Sequence, residues 1–307
     1  MNKRHFLVIV FLMILVLPCS NALSKQLIID SGAQFQFALK AMEKGDYERA
    51  IGELERFIYF FPEDEKVLDA RVLIGTCHLE QRAYEKARKT LHEVWKTDPK
   101  DPRAGKALLL IGESYYRQGV WKEAEYTFKR VLKNYPEPGL KSRALYRLGW
   151  TQLQADKWHE ASEAFGRIEK KSPLSAISLD LSDESLKGEE LPQKDPVMAG
   201  VLSGVLPGLG HAYSNRYKDG IVAFLLNGLF IWAAVESFDQ DHDVLGGILT
   251  FIEAGWYSGT IYGAVNAAHK KNRKVREDFR RNLSKQFKVG LMSTKEGHLG
   301  LALKIAF

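Results

Sequence analysis

Cysteine is almost absent from this sequence of 307 residues, with only Cys19 and Cys77 present, so a fold built on a disulfide framework is excluded. Cofactor chemistry also lacks its usual marks. No glycine-rich phosphate loop, dinucleotide fingerprint or metal-ligand spacing occurs, and His78, His92 and His159 stand far apart without shared geometry. The expectation is therefore a protein without cofactor or metal, and not an enzyme. Nor is there a large excess of one charge: 44 Lys and Arg stand against 38 Asp and Glu, a formal charge of +6. The densest basic run, Lys270-Lys271-Asn272-Arg273-Lys274, directly follows an apolar stretch, which suits the flank of a membrane helix and argues against a nucleic-acid partner.

What the sequence does have begins with a leader-like N-terminus. Lys3, Arg4 and His5 precede the apolar run Phe6 to Leu17, and Ser20-Asn21-Ala22 supplies small residues for a cut after Ala22, so residues 1–22 are expected to be a signal peptide. An uncleaved anchor and lipidation at Cys19 are the alternatives. Cys77, inside a helical pattern, reads as a small core residue.

Between residues 31 and 173 the chain repeats itself. Ala50, Ala87, Ala124 and Ala161 follow one another at 37-residue steps, and Pro62, Pro99, Pro136 and Pro173 keep the same step. An aromatic stands three residues before each alanine (Tyr47, Tyr84, Trp121, Trp158), and Leu54, Leu91, Phe128 and Phe165 stand four after it. Such a unit is a helical hairpin: the alanine sits where two helix axes meet, the larger residue fills the space beside it, and proline stops the second helix. A small residue such as Gly112 on the first helix lets its partner come close.

These positions together resemble the tetratricopeptide repeat (TPR), in a variety longer than the usual 34 residues. The resemblance implies a superhelix of four stacked hairpins whose concave groove, lined by first helices, binds a partner. The positions it assigns to that groove are Glu113, Tyr116, Arg117, Arg143, Tyr146, Arg147 and Trp150. Rings with guanidinium groups suit a peptide bearing a carboxylate. The same side chains could instead merely cover the neighbouring helix. The full carboxylate clamp of chaperone-type repeats is not matched, since Phe35, Leu39, Val72 and Thr76 occupy its Lys and Asn positions.

Residues 174–196 break the pattern and read as a flexible acidic linker. Three apolar blocks come next, Val197 to Ser214, Gly220 to Phe238 and Val244 to Ala268, each near the roughly 20 residues a membrane span needs. Arg216 and Lys218 lie in the first turn, Asp239, Asp241 and Asp243 in the second, and basic residues after the third. With exported repeats, three spans would put the basic groups in the cytoplasm and the aspartates outside. Pro207 and Gly208-Leu209-Gly210 within the first block permit a broken or re-entrant helix instead.

The string Pro207-Gly208-Leu209-Gly210-His211-Ala212-Tyr213 resembles the Pro-Gly-x-Gly-x-x-Tyr turn of TM2-like small membrane domains, which implies a membrane module rather than a reaction. Glu253, near the middle of the third block, is expected to pair within the bundle, with Asn227, Asn266 or a tyrosine hydroxyl as partner. Glycine-rich helices also allow a homo-oligomer. Residues 269–307 are expected to form a basic helix and then, from the alternation Leu299, Leu301, Leu303, Ile305, Phe307, a short β-hairpin.

The overall expectation is an all-α chain: a TPR superhelix, a helical membrane bundle and a terminal hairpin. It would be a scaffold of the bacterial inner membrane with its repeats in the periplasm, binding an envelope protein or peptide as well as the lipid bilayer. An accessory subunit of an envelope transport or insertion complex is the second reading.

Overall fold

The computed structural model describes residues 30–287, 289–293 and 299–303. The expected signal peptide and Cys19 lie outside the described residues. Eight helices occupy the repeat region: α1 (Ser31–Glu43), α2 (Tyr47–Phe60), α3 (Val67–Glu80), α4 (Tyr84–Thr97), α5 (Pro102–Gln118), α6 (Trp121–Asn134), α7 (Pro138–Gln154) and α8 (Trp158–Gly166). Each packs on the next in sequence, so the hairpins stack into an array.

The local chemistry explains the boundaries. Asp30, Asp101 and Glu137 accept hydrogen bonds from first-turn amides of α1, α5 and α7, and Pro102 and Pro138 start two of these helices where no amide donor is needed. The hairpin turns share one device. Gly45, Arg82, Gly119 and Asp156, each 37 residues apart, all adopt left-handed backbone, with φ of 76°, 59°, 80° and 59°. Glycine does this without strain, and aspartate tolerates it better than most residues.

Packing within each hairpin follows the repeat phase. Ala50, Ala87, Ala124 and Ala161 are fully buried, as are Leu54, Leu91 and Phe128, with Phe165 nearly so. A glycine on the first helix makes room for the large residue on the second. A Cβ on Gly75 would lie 2.5 Å from Leu91, one on Gly112 2.5 Å from Phe128, and one on Gly149 2.6 Å from Phe165. Cys77 is a buried core residue, and burial with the nearby Glu80 charge pushes its thiol up to about 12.

The flexible linker expected after the repeats is instead ordered. Ser175–Leu186 forms a helix, α9, packed on α8. Its serines account for the difference. Ser182 Oγ donates to the Ser162 carbonyl at 2.9 Å and lies 3.0 Å from the Ser162 hydroxyl, while the Ser185 hydroxyl donates back to the Leu181 carbonyl. Small polar side chains satisfied in this way let α9 approach closely, and Leu181 joins the core of the last hairpin. A segment that reads as polar in sequence thus covers the end of the array, where stacking leaves one face bare.

Beyond it come α10 (Pro196–Val205), α11 (Leu209–Tyr213), α12 (Tyr217–Asp239) and α13 (Asp243–Gln286). The first apolar block is thus two short helices broken at Leu206–Gly208, not a continuous span. The third block is the beginning of a single helix of 44 residues that continues through the basic run. Val289–Ser293 (β1) and Leu299–Leu303 (β2) are paired antiparallel in the backbone, Leu291 opposite Leu301, and the residues that would connect them lie outside the described residues.

Candidate interaction surface and apolar unit

The residues expected to line the groove come together, but largely with one another. Glu113 on α5 is 1% exposed and receives two arginines: Arg117 Nε donates at 2.8 Å, and Arg147 Nε from α7 forms an ion pair at 2.9 Å. Arg117 also reaches Glu80 of α3 at 3.1 Å. The result is a chain of alternating charge, Glu80–Arg117–Glu113–Arg147, crossing the first helices of three hairpins. The Arg147 guanidinium also lies over the Tyr116 ring, 5.4 Å from its centroid.

Arg147 is only 7% exposed, so its charge is committed inside the array and does not wait for a partner's carboxylate. Tyr146 and Trp150 are likewise buried, edge-on to Phe165 with centroids at 5.8 and 6.2 Å. These four expected groove residues, Glu113, Arg147, Tyr146 and Trp150, hold the stack together. Arg143 differs. It is half-buried, burial lowers its basicity, and among the described residues no carboxylate lies within ion-pair distance. With the partly exposed Tyr116 and Arg117, it is what remains of the expected surface.

The second motif shapes the apolar unit. Gly208 has φ of 87°, and a Cβ there would fall 2.0 Å from the Gly220 carbonyl; a Cβ on Gly210 would fall 1.9 Å from the Ala199 carbonyl. Both glycines therefore permit backbone contacts, between α11 and α12 and between α11 and α10. Pro207 sits at the break itself. Tyr213 closes the block: its hydroxyl accepts from the Asp195 amide at 3.2 Å, and Lys194 Nζ lies 4.6 Å from its ring centroid.

Within this unit burial is inverted relative to a water-soluble core. The buried positions of α12 and α13 include Gly220, Asn227, Ala234, Ser237, Gly246, Glu253, Thr260 and Ala264, whereas Phe251 is 82% exposed and Val244 80%. Asn227 donates to Thr260 Oγ1 at 3.2 Å. The expected pairing of Glu253 is not formed: neither carboxylate oxygen has a hydrogen-bond partner among the described residues, Asn227 is engaged with Thr260 and Ala223, and Asn266 is exposed. Among the described residues, Tyr217–Asp239 is the one helix long and apolar enough by length and composition to cross a bilayer.

Sequence reasoning missed the end of α13. Arg276 ion-pairs with Asp156 at 3.0 Å, Arg280 joins the same carboxylate, Phe279 meets Trp158 edge-on at 5.6 Å, and Leu283 is buried in the core of the last hairpin. The spacing 276, 279, 280, 283, 287 is a helical stripe that was available as a signal.

The fold is a helical-repeat scaffold joined to an apolar helical unit. Family models described as tetratricopeptide repeat match residues 41–111, and again 106–138 and 143–175. Residues 41–138 and 143–175 thus carry tetratricopeptide repeats. No curated protein matches the chain. Similar solved structures include a tetratricopeptide repeat protein of Parabacteroides merdae, 12% identical, covering 78% of this chain and 98% of its own, with a TM-score of 0.41. Another is pilF of Pseudomonas aeruginosa, 18% identical, covering 65% of this chain and 90% of its own, again with a TM-score of 0.41.

Proposed function

We propose that the chain is a membrane-tethered scaffold of the bacterial cell envelope, whose repeats capture a partner protein or peptide and whose apolar unit holds them at a bilayer. The observation that supports tethering is the inverted burial of α12 and α13. Large apolar side chains turned outward, over a packed interior of glycine, alanine and hydroxyl groups, suit lipid and would be an aggregation hazard in water. Repeats of this type generally mediate protein–protein interaction. The partner's carboxylate falls to Arg143 alone, because Arg147 is already neutralised by Glu113.

Affinity capture from detergent-solubilised membranes tests this reading. The full chain and a chain ending at Lys194 should retain the same partner, and Arg143→Glu should weaken capture at least tenfold with unchanged helicity. The full chain should stay in the membrane pellet after an alkaline carbonate wash. Capture by residues 195–307 without the repeats would sink the scaffold reading and favour an accessory subunit of a transport complex.

A further inference from the structure

We propose that residues 196–272 leave and return to one face of the bilayer, crossing it twice, so that the repeats and the basic ends of both spans share that face. The inference rests on the tethered reading and adds the arrangement of the chain across the membrane.

Three independent contacts carry it. First, the ends of the segment are clamped together: the Asn272 side chain accepts from the Lys194 amide at 2.7 Å and donates to the Lys194 carbonyl at 2.8 Å, and Asn272 is buried. Second, α13 continues past this clamp onto the last hairpin, through Arg276 and Arg280 to Asp156 and through Phe279 to Trp158. The hairpin is part of the repeat array, so residues 272–283 stand on its side of the membrane.

Third, the first apolar block returns to the level where it started. Its helix α10 has 10 residues, about 15 Å of rise against a hydrocarbon core of about 30 Å, and then breaks. Tyr213, at the end of the block, accepts from Asp195 at its beginning. Along α13 the block runs antiparallel, with Gly200 against Val265 and Gly204 against Ile261 and the Tyr257 hydroxyl. It therefore dips partway in beside α13 and comes back. Such a turn is tolerated at membrane depth because it is packed in protein.

Only α12 and the first part of α13 then remain to cross, one in each direction. Arg216 and Lys218 at the start of α12 fall beside Lys270, Arg273 and Lys274, all exposed, while Asp239, Asp241 and Asp243 fall at the opposite face. Five basic side chains next to the docked repeats form a surface suited to anionic lipid headgroups. The shared face overturns the expected separation of the repeats from the basic tail, and holds whichever face is cytoplasmic.

Single cysteines at Tyr59, Gln240 and Lys274, all exposed, in the full chain with Cys19→Ser and Cys77→Ser, test the arrangement. Each is treated in sealed native membranes with a membrane-impermeant maleimide, before and after lysis. Tyr59 and Lys274 should label from the same side, and Gln240 only from the other. Tyr59 labelling with Gln240 and opposite to Lys274 would mean three crossings and overturn the inference. All three labelling together would overturn it as well. In that last case, release of the chain by alkaline carbonate would show the tethered reading to be at fault, and retention would show only the crossing count to be wrong.

Discussion

Removing the Glu113 carboxylate should cost more stability than any other single charge in the repeats, because it leaves Arg147 buried with no counter-charge. Glu113 takes Arg117 at 2.8 Å and Arg147 at 2.9 Å, but the two arginines are not equally dependent on it. Arg117 keeps Glu80 and is a quarter exposed, so water and a second carboxylate compensate its loss. Arg147 has neither. Breaking a buried pair by removing one partner costs about 3–5 kcal/mol, whereas replacing both partners with apolar residues of similar volume is often close to neutral. For a fragment of residues 30–194, Glu113→Leu should therefore lower the melting midpoint, followed by circular dichroism, by roughly 6–20 °C. Arg147→Met alone should cost less, because Glu113 retains Arg117. The double variant Glu113→Leu with Arg147→Met should recover most of what Glu113→Leu loses, a coupling of about 2 kcal/mol or more. Screening should matter little for a buried pair, so roughly 0.5 M salt should leave the difference in place. A Glu113→Leu midpoint within a degree or two of wild type, or a double variant no better than the single one, would refute the claim that this ion chain is buried and structural.

Contacts elsewhere lead to two further outcomes. Gly210→Ala places a Cβ where the Ala199 carbonyl already is, so the full chain in detergent should lose its sharp thermal transition and its resistance to proteolysis between residues 196 and 220; an unchanged digestion pattern would count against the close α10–α11 contact. Asp156→Lys turns the partner of Arg276 and Arg280 into a repelling charge, and amide exchange over residues 276–286 should speed up at least tenfold while α1–α6 keep their protection. Equal exchange would mean that the end of α13 is held by Phe279 and Leu283 alone.

Most of the repeat array was legible because its determinants are local and recur. The alanine, the residue four positions later and the left-handed turn residue all keep the 37-residue step, and their burial follows it. The candidate surface was less legible, since a charged residue in sequence looks the same whether it faces a partner or a neighbouring helix. One clue existed. Glu80 and Arg117 are 37 residues apart, hence at equivalent places in adjacent hairpins, and opposite charges at equivalent places are placed to meet. The α9 helix escaped notice for a different reason: Ser182 and Ser185 satisfy themselves against the backbone of the neighbouring helix and of α9 itself, so it packs with few of the apolar residues on which periodicity depends. The return of α13 to Asp156 was hidden by distance along the chain, 120 residues for the Arg276 contact, a separation that local patterns do not encode.

The unbroken course of α13 has a mechanical consequence. Its first part packs among the apolar helices, and the stretch from Lys270 to Gln286 stands about 24 Å beyond them as a post carrying the last hairpin. No loop separates the two parts to absorb motion. A change of about 10° in the tilt of the lower part would swing the top of the post by roughly 4 Å and turn the array through the same angle. Bilayer thickness and lateral packing set the tilt of such helices. On the proposed tethering to a bilayer, the attitude in which the repeats are presented is geared to the state of the membrane beneath them, as a mast follows its hull, and does not drift as it would on a slack tether.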